Sequence, residues 1–441
     1  MSNITIDFGK SVGKVKPMHA VNNGPVYKFA SDQRITNIDS YREAGIPYAR
    51  THDASFYATY GGEHTVDVNS IFPDFEADPF DPDSYDFCLT DEYLKVIEFA
   101  KTKVFYRLGS KIEHWKKKYN TLPPTDFKKW AIVCEHIIKH YNYGWANGFN
   151  MGIEYWEIWN EPDLDSDDSP NKRCWGGSKS QFFELYDIAA KHLKSCFPEL
   201  KIGGPALAWN IDWAEDFLRQ LSAPLDFFSW HIYADDPKKV LERTKQIRKL
   251  LDKYGYTSAE SILNEWNYVR GWEGDDWVHS LKAEKGLKGA SFTAGVMCLE
   301  QYSSLDMLMY YDARPCGMNG LFCTDFVNEC LKGYYPFKMF NELYKLGDCV
   351  QALSDNDEIY VCAARSCDKS AIMLTHFDDN ELAHDKKITI SYKNLKKTKA
   401  QIYRLDEDND MCLVKEEMLS DESGLFLLNV PVYCSYLIVL S

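Results

Sequence analysis

The sequence has little that is typical of a membrane protein, a nucleic-acid-binding protein or a metalloprotein. None of its apolar runs is long enough to span a bilayer. The formal net charge of -16 argues against binding to nucleic acid or to an anionic membrane, because both require a basic surface. The 13 cysteines are scattered without a Cys-x-x-Cys pair, which excludes zinc-ribbon and thioredoxin-like sites. We therefore expect no metal and no cofactor.

The amino terminus also lacks the basic segment and following apolar stretch that mark a secretory leader. Scattered cysteines without a leader predict reduced thiols and a cytoplasmic protein. The oligomeric state stays open, and a homo-oligomer is one alternative. Aromatic side chains, in contrast, are abundant at 15% of the residues, which suits either a large core or a site that binds sugar rings.

Over the first three hundred residues, short apolar runs alternate with longer segments of helical periodicity, as in βα units around a parallel sheet. Helix starts are predicted at Thr125 and at Ser178, where Gln181 completes a capping box. Eight such units predict a (β/α)₈ TIM barrel over residues 15–347, with its active site at the carboxyl ends of the strands. The predicted strands are Lys16–Ala20, Tyr48–Thr51, Val104–Leu108, Tyr155–Asn160, Lys201–Gly204, Phe227–Ile232, Ser261–Glu265 and Met307–Tyr311.

The pattern changes after Gly347, and residues 348–441 are predicted to form an antiparallel β-sandwich. The opening segment, residues 1–14, holds a strand-like run at Ile4–Phe8 with no helix after it, so it could pair with the sandwich instead of the barrel. The fold class is therefore an α/β barrel followed by a β-sandwich domain. Its predicted strands are Ile359–Ala363, Ala371–Thr375, Lys387–Ser391, Ala400–Arg404, Leu425–Val430 and Tyr436–Leu440.

Two short motifs each end an apolar run with a carboxylate. In the stretch from Trp156 to Pro162, Glu161 follows the fourth predicted strand, and Pro162 favours a strand end because it cannot donate a ladder hydrogen bond. In the stretch from Ser261 to Asn267, Glu265 ends the seventh strand. Either carboxylate alone could be a structural group at a turn.

Together the two motifs indicate a specific chemistry. The fourth and seventh strands of an eight-strand ring lie nearly opposite each other, so Glu161 and Glu265 can converge on one cavity. Cleavage of a glycosidic bond requires one acid to protonate the leaving oxygen and one carboxylate at the oxocarbenium-like centre. The pair therefore predicts a glycoside hydrolase.

The chain resembles the glycoside hydrolases of clan A and, more narrowly, family 39, which includes β-xylosidases and α-L-iduronidases. The resemblance rests on Glu157–Leu164, Gly203–Ala206, Ser229–Tyr233 and Asn264–Asn267, and it spans roughly residues 15 to 347. It implies a barrel followed by a β-sandwich.

The resemblance also implies roles for single residues. Glu161 matches the acid/base, and Glu265 matches the nucleophile. Asn160 matches a residue that binds the sugar 2-hydroxyl. His231 and Tyr233 match the segment that ends strand six, where the clan often has a residue touching the nucleophile. His52 matches a histidine at the end of strand two.

Further residues have two interpretations each. Trp115 is either a stacking platform after strand three or a helix-packing residue, and Tyr311 could support the sugar from strand eight. Arg314 could bind a substrate carboxylate, although pairing with an acidic side chain is favoured. The run of aspartates from Asp163 to Asp168 predicts a solvated loop and not a metal site.

These features predict a retaining exo-glycosidase that acts on plant-type oligosaccharides by double displacement, with carboxyl groups about 5–5.5 Å apart. β-Xylosidase is the first expectation. An α-L-arabinosidase-type or uronide-releasing activity stays open, because the stretch Arg107–Ile112 and the end of strand eight depart from the β-xylosidase pattern. A non-catalytic carbohydrate-binding protein on the same scaffold is a further alternative.

Overall fold

The computed structural model describes residues 2–27, 35–53, 62–380, 382–419 and 421–441. Its first strand is β1 (Ser2–Lys14), and the next eight strands close a parallel barrel in sequence order, with β2 paired to β9. The predicted barrel is thereby confirmed. Its strands are β2 (Ala20–Asn22), β3 (Tyr48–Thr51), β4 (Lys103–Leu108), β5 (Tyr155–Ile158), β6 (Lys201–Leu207), β7 (Phe227–Ala234), β8 (Glu260–Tyr268) and β9 (Met307–Tyr310).

The α-helices follow the barrel strands, as expected for βα units. They are α1 (Ile38–Glu43), α2 (Val68–Ile71), α3 (Cys88–Phe99), α4 (Phe127–Tyr143), α5 (Lys179–Cys196), α6 (Ile211–Gln220), α7 (Pro237–Lys253), α8 (Gly274–Glu284), α9 (Leu287–Gln301) and α10 (Tyr335–Leu346). The capping box at Ser178 is present, with Gln181 completing it. The cap of α4 is Asp126 and not Thr125, because the Asp126 carboxylate accepts the backbone N–H groups of Lys128 and Lys129.

The first barrel strand begins at Ala20 and not at Lys16. Pro17 has no N–H to contribute to a ladder. The Lys16 ammonium instead donates to three backbone carbonyls, those of Glu300, Ser303 and Leu305. Lys16 therefore fixes the segment before the strand to the end of α9 and the turn that follows it.

The remaining strands form a nine-stranded, mostly antiparallel sheet, so the predicted second β domain is also confirmed. β1 belongs to this sheet, where it pairs antiparallel with β10 and parallel with β13. The sequence-based prediction missed β10 and β15. The strands are β10 (Asp348–Ser354), β11 (Ile359–Arg365), β12 (Ser370–His376), β13 (Lys386–Lys393), β14 (Lys399–Leu405), β15 (Asp410–Met418), β16 (Gly424–Val430) and β17 (Ser435–Leu440).

One apolar cluster explains how this sheet buries its inner face. It joins Ile4 of β1 and Ile390 of β13 with Leu374 of β12 and Ile438 of β17, which are distant in the strand order. These strands therefore bury one apolar face of the sheet in a shared core. Within the described ranges, no helix combines the length and the apolar composition that crossing a bilayer would require.

Candidate active site

Both predicted glutamates lie at the carboxyl end of the barrel, Glu161 just after β5 and Glu265 within the last part of β8. They face a common cavity of about 640 Å³. A cavity at this end of the strands is the usual position of a barrel active site. Its other lining residues are His52, Ile112, His114, Leu164, Arg173, Ala208, Trp209, His231, Ile232, Tyr233, Arg243, Trp272 and Tyr311.

The backbone after β5 turns sharply to present Glu161. Trp159 has φ 74° and Glu161 has φ 48°, both in the left-handed region, so the strand ends at Ile158 and not at Asn160 as the sequence suggested. Such residues cost roughly 1–2 kcal/mol each and are often found at functional sites. Gly109 allows the turn, because a Cβ at this position would lie 2.8 Å from the Trp159 ring.

The two carboxylates are close to each other and share a histidine. Nδ1 of His231 lies 2.8 Å from Oε1 of Glu161 and 3.6 Å from Oε2 of Glu265. One carboxylate oxygen from each glutamate and this nitrogen all lie within 4.8 Å of one another. The side chain of Glu161 is 14% exposed and that of Glu265 is 5% exposed, so the pair is largely shielded from water.

Arg50 is the centre of a buried network that the sequence reasoning did not identify. Its guanidinium donates through Nη1 to Oε1 of Glu265 at 2.8 Å and through Nε to Oε2 of Glu157 at 2.6 Å. Nη2 donates to Oδ1 of Asn160 at 2.7 Å, which fixes the residue before Glu161. Asn22 accepts from Nη1 at 3.1 Å. A basic residue two positions before His52 was the one available sequence signal.

The electrostatic environment differs between the two glutamates. Burial raises the pKa of Glu161 to about 7. Burial also raises the pKa of Glu265 above its ordinary value, although the Arg50 charge and hydrogen bond offset part of this rise. Tyr233 donates its hydroxyl to Oε2 of Glu265 at 3.0 Å. Burial lowers the pKa of His231 to about 4, so its ring is neutral at pH 7. Glu161 is therefore the better suited of the two to hold a proton near neutral pH, and Glu265 is the better suited to stay ionised.

The other predicted site residues divide into two groups. His52, Tyr233 and Tyr311 line the cavity, and Nε2 of His52 lies 3.5 Å from Oε1 of Glu265. Trp115 is 79% exposed and does not line the cavity, although Ile112 and His114 of the same loop do. The stacking role considered for Trp115 is therefore not supported by its position.

The sequence suggested that the loop after Glu161 is solvated, but the structure buries part of it. Asp163 is buried, and its carboxylate accepts the backbone N–H groups of Ala208, Trp209 and Asn210 at 2.7–2.9 Å. Burial nevertheless raises its pKa to about 6. Asp163 thus fastens the loop after β6, with Trp209, to the loop that carries Glu161.

Two groupings of side chains within the described ranges have the types and spacing of metal ligands. One is Glu161, His231 and Glu265, in which Nδ1 of His231 is already hydrogen-bonded to Glu161 and Oε1 of Glu265 already accepts from Arg50. The other, outside the cavity, is Glu135, His192 and Cys196, where Glu135 already bonds His192 at 2.6 Å. The carboxylate chemistry of the cavity requires neither a metal nor a cofactor.

A closed (β/α)₈ barrel with two facing carboxylates at the carboxyl ends of its fourth and seventh strands has the architecture of a glycoside hydrolase. The model of glycosyl hydrolases family 39 matches residues 4–267, which is more than half of the chain. The chain therefore belongs to this family.

Among curated proteins, the chain is 28% identical over 227 residues to a β-xylosidase of Geobacillus stearothermophilus, covering 44% of this chain and 42% of that one. It is 29% identical over 244 residues to a β-xylosidase of Caldicellulosiruptor saccharolyticus, covering 53% and 46%. The matched region therefore spans less than half the length of either relative.

Among solved structures, a glucosidase from Croceicoccus marinus superimposes with a TM-score of 0.81 at 21% identity, covering 100% of this chain and 99% of that one. A monomeric β-xylosidase from Caulobacter crescentus superimposes with a TM-score of 0.70 at 16% identity and the same coverage. These likenesses show the fold of barrel and β domain over the whole chain.

Proposed function

We propose that this chain is a retaining exo-glycosidase that releases xylose from β-xylosides, with Glu161 as acid/base and Glu265 as nucleophile. The observation that carries the proposal is the spacing of the two carboxylates, whose facing oxygens lie within 4.8 Å. Retaining enzymes hold their carboxyl groups about 5–5.5 Å apart, whereas inverting enzymes need about 6.5–9.5 Å to admit a water. The short spacing supports retention.

The protonation states support the same division of roles. With its pKa raised to about 7, Glu161 holds a proton that it can deliver to the leaving oxygen. Glu265, held by Arg50 and Tyr233, attacks the anomeric carbon from the opposite side. The bond from that carbon to the leaving oxygen breaks as the glycosyl ester on Glu265 forms.

The second step reverses these movements. Glu161, now a carboxylate, takes a proton from a water molecule, and the water oxygen attacks the anomeric carbon. The ester bond breaks, Glu265 recovers its charge beside Arg50, and Glu161 is protonated again. Two displacements at one carbon leave the configuration of the released sugar unchanged.

The charge pairing around Glu265 supports a neutral sugar over a uronide. Arg50 already pairs with Glu265, and Arg314 and Lys111 already pair with Asp53 at 3.2 and 3.4 Å. A substrate carboxylate on this side would have to displace one of these partners. The similarity to two β-xylosidases also supports a neutral sugar as the substrate.

The proposal is tested with a 2-deoxy-2-fluoro-β-xyloside that carries a dinitrophenyl leaving group. We expect this reagent to inactivate the enzyme and to add one fluorosugar to the peptide that contains Glu265. The Glu265→Gln variant is the matched control and should stay unlabelled. Labelling of another carboxylate would contradict the assignment of the nucleophile.

A panel of aryl β-xylosides, α-L-arabinosides and uronides tests the sugar. Hydrolysis confined to uronides would contradict the xylosidase proposal and favour the uronide-releasing alternative. If the wild-type protein binds xylose or xylobiose but hydrolyses none of the panel, the carbohydrate-binding alternative replaces the enzyme.

A further inference from the structure

In the proposed mechanism, one side of the cavity contacts the leaving group of the substrate. Because Glu161 delivers its proton to the leaving oxygen, the leaving group must lie against Glu161 and away from Glu265. The lining residues next to Glu161 include Trp209, whose loop is fastened to the Glu161 loop by Asp163. Trp209 is 58% exposed, so its ring is free to contact a bound group.

Two arginines line this cavity, and only Arg173 forms an ion pair with a described residue. Arg173 pairs with Asp165, donating through both Nε and Nη2. Arg243 extends from α7 to the same loop, where its Nη1 donates to the backbone oxygen of Trp209 at 3.0 Å. Among the residues that the structure describes, no carboxylate lies within 4 Å of the Arg243 guanidinium.

The free donors of Arg243 are arranged for a carboxylate. Nε and Nη2 form one bidentate edge of the guanidinium, and neither donates to any described residue. This edge matches the two oxygens of a carboxylate in spacing and direction. Arg243 is partly buried, and this burial lowers its pKa, while the charge of Asp163 acts in the opposite direction.

We propose that Arg243 and Trp209 form a leaving-group site that prefers a leaving group bearing a carboxylate, such as a uronic acid residue. The Trp209 ring contacts the apolar face of this group, and Arg243 binds its carboxylate. The cations on the Glu265 side are already paired. The enzyme therefore binds a neutral sugar on the Glu265 side of the scissile bond and an acidic group on the leaving-group side. The inference rests on the proposed acid role of Glu161, which defines the leaving-group side.

The first test compares two aryl β-xylosides that differ in charge, the 4-carboxyphenyl and the 4-carbamoylphenyl xyloside. We expect Arg243→Gln to lower kcat/KM about tenfold more for the carboxylate substrate than for the carbamoyl substrate, because only the first loses a charge-assisted pair. Arg243→Lys should recover part of the loss, because it restores the charge without the bidentate edge.

The matched control is Arg219→Gln, which removes an arginine that is 58% exposed on α6 and pairs with Asp216. It should leave both substrates unchanged. Equal losses for the two substrates in Arg243→Gln would overturn the inference while leaving the proposed function intact. Failure of the wild type to hydrolyse any neutral aryl glycoside would instead count against the proposed function.

A binding measurement keeps the inference testable without turnover. D-Glucuronate and its uncharged methyl ester are titrated against the wild type and Arg243→Gln, with tryptophan fluorescence as the signal. Tighter binding of glucuronate that disappears in the variant supports the site. Equal binding of the acid and the ester by the wild type would overturn it.

Discussion

Replacing Glu161 by glutamine should change the stability of the fold in a pH-dependent manner. Burial raises the pKa of Glu161 to about 7 from its ordinary 4.5, and its side chain is only 14% exposed. Each pKa unit corresponds to about 1.4 kcal/mol, so ionising this group in the folded state costs about 3 kcal/mol more than in the unfolded state. Glutamine has the same shape and no proton to lose.

The sign of the effect follows from proton uptake. Between pH 4.5 and 7 the unfolded chain has released the Glu161 proton while the folded chain retains it, so the free energy of unfolding falls as pH rises. Glu161→Gln should therefore match the wild type below pH 4.5 and exceed its stability by up to about 3 kcal/mol at pH 8.

Urea unfolding followed by tryptophan fluorescence at pH 4.5 and pH 8 measures this difference. The same variant should lose the basic limb of the pH profile of kcat/KM near pH 7, and activity on an unactivated xyloside should fall about 10²–10⁴-fold. Glu184→Gln, which removes an exposed carboxylate on α5, is the control and should alter neither property. A stability gain that is equal at both pH values would refute the reasoning.

Four further variants, including Trp115→Ala as a control, test other parts of the site. Tyr233→Phe removes a hydrogen bond to Glu265, so kcat/KM should fall about tenfold and the acidic limb of its pH profile should move to higher pH. Trp272→Ala should raise KM about threefold to tenfold because this ring lines the cavity, whereas Trp115→Ala should leave KM unchanged. Arg50→Met should lower the free energy of unfolding by about 3–5 kcal/mol, measured by urea unfolding, because it leaves buried carboxylates unpaired.

The sequence was informative where function depends on local pattern. An apolar run that ends in a carboxylate gives the position of Glu161 and Glu265 on the barrel, since the carboxyl ends of parallel strands meet at one rim. The alternation of His231 and Tyr233 along one strand likewise predicted that both would face the site, and both line the cavity.

Other features depend on contacts between distant segments, and no local pattern encodes them. Arg50 and Glu265, which form an ion pair, are 215 residues apart in the sequence, and Arg243 and Trp209, which share a hydrogen bond, are 34 residues apart. β15 was missed because most of its residues are exposed, so it shows no alternation of buried and exposed positions. Trp115 was considered for the site because its loop follows a barrel strand, but the direction of a loop side chain is set by tertiary packing.

The configuration of the first product tests the central claim most directly. A β-xyloside is hydrolysed in an NMR tube, and the anomeric proton of the released xylose is followed before mutarotation. Double displacement by Glu265 and Glu161 predicts that β-xylose appears first and the α-anomer only later. Initial release of α-xylose would mean inversion and would contradict the assignment of Glu265 as a nucleophile.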